Sequence, residues 1–100
     1  MEKPACRGLM VDKDLVHCSQ PHRLEGAETV FVNGIPWSCQ GHRNHPHLRP
    51  GGDFCDIHQA PIAMGSPTVI VEGRGAGRIG DKVAACTVVI TGSPDVFCGP

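Results

Sequence analysis

A Gly-bounded phrase runs through this chain three times. It reads Gly26-Ala27-Glu28-Thr29-Val30-Phe31-Val32-Asn33-Gly34, then Gly65-Ser66-Pro67-Thr68-Val69-Ile70-Val71-Glu72-Gly73. The third copy, Gly92-Ser93-Pro94-Asp95-Val96-Phe97-Cys98-Gly99, stops almost at the C-terminus. A repeat of this size is one supersecondary unit that cannot bury its apolar face alone. Three copies in 100 residues predict one domain over residues 1–100, a single object with three similar sides.

Each phrase alternates with period two, the signature of a half-buried strand. Val30 and Val32 fall on one face, with Phe31 and Asn33 on the other. Val69 with Val71, and Val96 with Cys98, take the first face, which is expected to point inward. Asn33-Gly34 and Glu72-Gly73 read as hairpin turns. Thr87-Val88-Val89-Ile90-Thr91 reads as a further strand, and Pro61-Ile62-Ala63-Met64 holds the corresponding place before the second phrase. No window carries a helical apolar period. The fold class expected is all-β, built on small β-branched residues that suit narrow, tightly wound structure.

The repeat continues outward. Pro36-Trp37-Ser38-Cys39 follows the first phrase and Gly75-Ala76-Gly77-Arg78 the second, while Pro4-Ala5-Cys6-Arg7 stands without a preceding strand. The chain begins and ends inside a repeat, so the last half unit can complete the first and close a pseudo-threefold ring. The stretch from His42 to Cys55, with Pro46, Pro50 and Gly51-Gly52, reads as a loop insertion.

A formal charge of −1 gives no electrostatic footprint for nucleic acid or a membrane surface. Met1 to Arg7 lacks the apolar region of a secretory signal, and no run is long enough to span a bilayer. Six Cys beside six His then favour a metal site over a disulfide framework, though the even Cys count leaves disulfides open.

The chain resembles the PAAR-repeat family, named for a Pro-Ala-Ala-Arg tetrapeptide. The tetrapeptides above carry the likeness, with the Gly-Ser-Pro-x-Val phrase at Gly65–Gly73 and Arg78-Ile79-Gly80-Asp81. Where the second unit should show Asp after Gly41, it has His42. The resemblance implies a small three-sided β-cone whose broad base caps a trimeric β-helical spike, one copy per trimer. It implies a place at the tip of a contractile injection machine, a phage tail baseplate or a type VI secretion system, that meets the target cell envelope transiently. It implies a metal ion held by His and Cys at the narrow end, zinc or alternatively iron.

Counted from the first residue of each tetrapeptide, His47 and Cys86 stand at the same distance. His45 is two residues nearer, and His17 two residues further. Equivalent loops should converge, which makes His17, His47 and Cys86 a triangle with His58 as the fourth ligand; the family's first two loops carry His and its third Cys. His45 and His42 are alternates. Cys55, from the C-x-x-H pair Cys55–His58, is another. Cys18 and Cys39 are ligands by type only; Cys6 and Cys98 read as small buried hydrophobes. Trp37 reads as a packing anchor, and Asp81 as a turn residue bonding its own backbone. The function expected is a structural piercing tip and not an enzyme. A small metal-dependent hydrolase would need an open coordination position and a base, and no H-E-x-x-H pair is present. A zinc-ribbon-like module would need C-x-x-C pairs, which are lacking.

Overall fold

The computed structural model describes residues 2–16, 20–51, 54–84 and 87–99, without the side chains of 48–58. The described residues hold no helix. Their strands are β1 (Lys3–Pro4), β2 (Phe31–Val32), β3 (Ile35–Pro36), β4 (His47–Gly51), β5 (Phe54–His58), β6 (Ile70–Val71), β7 (Arg74–Gly75), β8 (Lys82–Val83), β9 (Thr87–Val88) and β10 (Phe97–Cys98). All pair as two-stranded antiparallel sheets, so the chain is all-β.

The predicted turns form as read. Asn33 and Gly34 take φ of 55° and 75°, and Glu72 and Gly73 take 53° and 76°. Positive φ at both central residues is the type I′ geometry whose twist matches paired strands. These turns set β2 against β3, with Val32 opposite Ile35, and β6 against β7, with Val71 opposite Arg74. The third hairpin is made from the two ends of the chain: β10 pairs with β1, Lys3 opposite Cys98. Closure of the last half unit onto the first is thus observed. Val32, Val71 and Cys98 occupy equivalent positions and are 1%, 5% and 2% exposed, inward as the alternation required.

The three units join in a ring. The Gly8 N–H donates to the Pro36 carbonyl at 2.8 Å, Gln40 to Gly75 at 2.9 Å, and Ile79 back to Pro4 at 3.1 Å. Bridges between tetrapeptides follow the same order, Arg7 with Trp37, Cys39 with Ala76, and Arg78 with Ala5. This ring explains the Gly that opens each phrase. A Cβ on Gly65 would lie 2.2 Å from the Gly75 carbonyl oxygen, and one on Gly26 2.8 Å from that of Pro36. The tetrapeptide strand passes too close for any side chain.

The second residue of the phrase has its own task. The Ser93 hydroxyl accepts from the Val96 and Asp95 N–H groups, and the Ser66 hydroxyl from those of Val69 and Thr68. The first copy has Ala27 there. Its Thr29 and Glu28 N–H groups donate instead to the Glu72 carboxylate of the next unit's turn, at 2.7 and 3.3 Å.

Beyond the ring each unit extends as a hairpin, closed by Lys13 opposite His22, Arg43 opposite Pro61, and Lys82 opposite Val88. Cyclic bridges tie these together: Arg23 with Asn44, Ile62 with Val83, and Val89 with Asp14. Asp14, Asn44 and Val83 are therefore equivalent, as are Arg23, Ile62 and Val89. In the second unit the expected loop insertion is instead a strand pair, β4 with β5, in which Pro50 faces Cys55. A two-stranded ladder leaves one side of each strand unpaired, so a residue without an N–H is tolerated. The molecule measures 40 × 23 × 23 Å, with the two equal short axes that a threefold stack requires.

Two apolar clusters fill the interior. Ala27, Cys39, Val71, Ala76 and Cys98 form one inside the ring, with Val30, Val69 and Trp37 packed on it. Trp37 is an anchor, as expected, and its indole N–H donates to the Gly77 carbonyl at 2.9 Å. Cys6, Ala60, Ile62, Val83 and Val89 form the other among the hairpins.

Candidate metal centre

In the first and third units an Asp after the tetrapeptide locks the turn that leads into the hairpins. The Asp12 carboxylate accepts from the Arg7 N–H at 2.7 Å, and Asp81 from the Arg78 N–H at 2.8 Å. Each carboxylate also forms an ion pair with the guanidinium of that same Arg, at 2.9 and 2.8 Å. Asp81 is the turn residue it was read to be. In the second unit His42 takes this place, and its Nδ1 accepts from the Cys39 N–H at 2.8 Å. Accepting there requires the neutral ring with its proton on Nε2. Burial, reinforced by the Arg74 charge, pushes the His42 pKa below its ordinary value.

A polar network lies next, in the layer of Arg23, Ile62 and Val89 and the layer of Asp14, Asn44 and Val83. Arg23 and Asp14 form an ion pair at 2.8 Å, with both side chains 0% exposed. The guanidinium also donates to the His42 carbonyl at 2.6 Å and the Ser38 hydroxyl at 3.3 Å. Asn44 donates to Asp14 Oδ2 at 3.0 Å and accepts from the Ala60 N–H at 2.9 Å. Asp14 Oδ1 is buried and has no hydrogen bond among the described residues. Burial raises the Asp14 pKa against the opposing pull of Arg23, Asn44 and, from nearby, His47.

His47 opens β4 and is 5% exposed. Its Nδ1 lies 3.0 Å from the His45 carbonyl oxygen, which can only accept, so Nδ1 carries a proton. A metal-ligating His is held in this way, with one ring nitrogen donating to an outer acceptor. His45 itself is exposed, with its Nδ1 2.9 Å from the Pro46 carbonyl oxygen. His58 is the cross-strand partner of His47, and Cys55 lies in the same strand; their side chains are outside the description. His17, Cys18 and Cys86 are outside the described residues altogether.

The observed equivalences bear on the ligand choice all the same. His47 follows Asn44 by three residues, and His17 and Cys86 follow Asp14 and Val83 by three. His45 shares its register with Leu15 and Ala84, whose N–H groups bond across the hairpins as that of His45 does. Among the described residues no three His, Cys, Asp or Glu side chains group closely enough to hold a metal. Cys6, Cys39 and Cys98 are free and buried, and desolvation pushes their thiols up, Cys39 to about 11. Such thiols resist the deprotonation that ligation requires.

Among the described residues, two features bear on a metal: the buried His47 imidazole whose Nδ1 donates to a carbonyl, and the buried Asp14 Oδ1 that has no hydrogen bond there. The Asp14–Arg23–Asn44 network escaped the sequence reading. Its one trace was alternation, since Asp12 and Asp14 fall on the same inward face. No family model matches the chain, and no curated protein matches it in sequence.

Proposed function

We propose that this protein is a metal-stabilised tip that caps a trimeric spike in a contractile injection machine, one copy per trimer. The observation that carries the reading is the cyclic hydrogen-bond register, which gives one chain three equivalent sides. A threefold partner can then be met by a single copy through three like contacts. At the position after Val30, Val69 and Val96 stand Phe31, Ile70 and Phe97, which are 55%, 58% and 50% exposed. Three apolar side chains at equivalent sites beside the turns suit a docking surface with a desolvated core.

His17, His47, His58 and Cys86 would hold the metal, zinc or alternatively iron, with His47 ligating through Nε2. When bound, the ion would tie the three hairpins together and so add folding energy. The protein acts as a structural part that turns over no substrate, and it works at the tip of a phage tail or a type VI apparatus. A neighbouring spike or baseplate gene would say which.

The test combines the chain with its trimeric spike protein and weighs the complex by native mass spectrometry. One copy per three spike chains is expected, lost in the combined variant Phe31→Glu, Ile70→Glu and Phe97→Glu. No binding to the trimer, or several copies at one spike end, would overturn the proposal.

A further inference from the structure

Each hairpin of the ring uses one strand edge and leaves the other open. On β3, β7 and β1 the Pro36, Gly75 and Pro4 carbonyls accept from Gly8, Gln40 and Ile79, which closes the ring. On β2, β6 and β10 the bonds run inside the hairpin. The Val30, Val69 and Val96 carbonyls accept from the Trp37, Ala76 and Ala5 N–H groups at 3.1, 2.9 and 2.9 Å. In an antiparallel pair, successive residues turn their peptide groups alternately toward and away from the partner strand. The N–H and C=O of Phe31, Ile70 and Phe97, one residue further on, therefore point away from it. Among the described residues no other element bonds them.

Native proteins blunt an open edge with Lys, Pro or a bulge. Residues 30–32, 69–71 and 96–98 contain no charge and no Pro. The open positions hold Phe, Ile and Phe, each more than a third exposed. Each edge is two residues long, too short to hold a strand by itself. The ring fixes all three in one cyclic register, so a partner with three like strand ends engages them together and three weak contacts act as one. A partner with a single strand end reaches only one of the three edges. The spacing of the edges thus selects a threefold occupant.

We infer that the tip docks by strand addition: Phe31, Ile70 and Phe97 each pair their N–H and C=O with an extended segment of one of three spike chains. The inference rests on the spike-tip reading above. The backbone pairs set the register of the joint, and the Phe, Ile and Phe side chains exclude water from it.

The test uses the full chain with the trimeric spike protein, complex formation being read by native mass spectrometry. Amide hydrogen exchange at Phe31, Ile70 and Phe97 should be fast in the free chain and slow about 10-fold or more in the complex. Ile70→Pro removes one N–H at a place where an edge strand tolerates proline, and Ile70→Val keeps it beside a similar apolar side chain. The Pro variant should bind the spike about 10-fold more weakly than the Val variant. If Ile70→Pro fails to fold, the exchange measurement still decides. A complex in which the three amides exchange as in the free chain overturns strand addition and leaves the tip reading standing. Equal binding by folded Pro and Val variants does the same. A chain that pairs with a second copy of itself through these amides, and with no spike, overturns both.

Discussion

The ring of turn hairpins and the hairpin stack beyond it obey the same threefold register but are stabilised differently. In the ring, Val32, Val71 and Cys98 repeat one apolar choice, and each unit's carbonyls meet an opening Gly. In the stack the equivalent sites hold Arg23, Ile62 and Val89 in one layer, and Asp14, Asn44 and Val83 in the next. Symmetry of backbone bonding thus does not impose symmetry of side chains. The ring repeats small apolar side chains at its equivalent inward sites, whereas the stack places charged, polar and apolar side chains at its own.

The comparison breaks most readily at the buried ion pair. Arg23→Ala or Asp14→Ala should cost about 3–5 kcal/mol, because each leaves an uncompensated buried charge. Ile62→Val, the apolar change in the same layer, should cost about 0.5–1.5 kcal/mol. Chemical denaturation of the variants decides; an Arg23→Ala loss as small as that of Ile62→Val would mean the stack is as forgiving as an apolar core.

Next in size is the ring's close approach. Gly65→Ala should cost about 1–3 kcal/mol, or several degrees or more in melting temperature for a chain this long. Gly92→Ala, whose Cβ would stand 2.9 Å from the Ala5 carbonyl oxygen, should cost less than Gly65→Ala. A reversed order would show that the third side, built from both chain ends, is packed more tightly than the second.

The His42 turn should make stability pH-dependent at one side of the ring only. Burial and Arg74 lower its pKa in the fold from the ordinary 6.5, so the folded chain favours the neutral ring. Its contribution is fully present above the unfolded value and is lost as pH falls through the lowered one. Denaturation between about pH 7.5 and about pH 5 should show this loss, and His42→Asp, which restores the residue of the other two units, should reduce it. Equal pH slopes in both proteins would assign the effect to other histidines.

The smallest effect concerns the inserted turn of the first unit. Gly41 and Gly80 take φ of 84° and 90°, and Met10 stands at the equivalent place with φ of 67°. Relief of that strain by Met10→Gly should stabilise by about 0.5–1 kcal/mol, read as a higher melting temperature. A destabilised variant would show that the half-exposed Met10 side chain makes contacts worth more than its backbone strain.

Local chemistry explains what could be read without coordinates. Alternation put Val32, Val71 and Cys98 inside, and Asn33-Gly34 and Glu72-Gly73 named their turns, because turn φ and strand period depend on neighbours a few residues away. The three tetrapeptides and the interrupted ends likewise announced a closed repeat. Pro50 and Gly51 misled, since their local preference for irregular chain was overridden by a ladder in which Pro50 needs no N–H. Of the candidate site, the repeat count singled out His17, His47 and Cys86, and the observed register now sets them at one offset from Asp14, Asn44 and Val83.

By itself the sequence determined an all-β chain of three strand-and-turn units whose halves at the two ends belong together. Tertiary structure alone decided the order of the ring, the bond by which His42 does the work of a carboxylate, and the burial of Arg23 against Asp14. The division is physical. Turns and alternation are properties of short segments, but a buried charge pair is set by which distant strands converge, and no local pattern records that convergence.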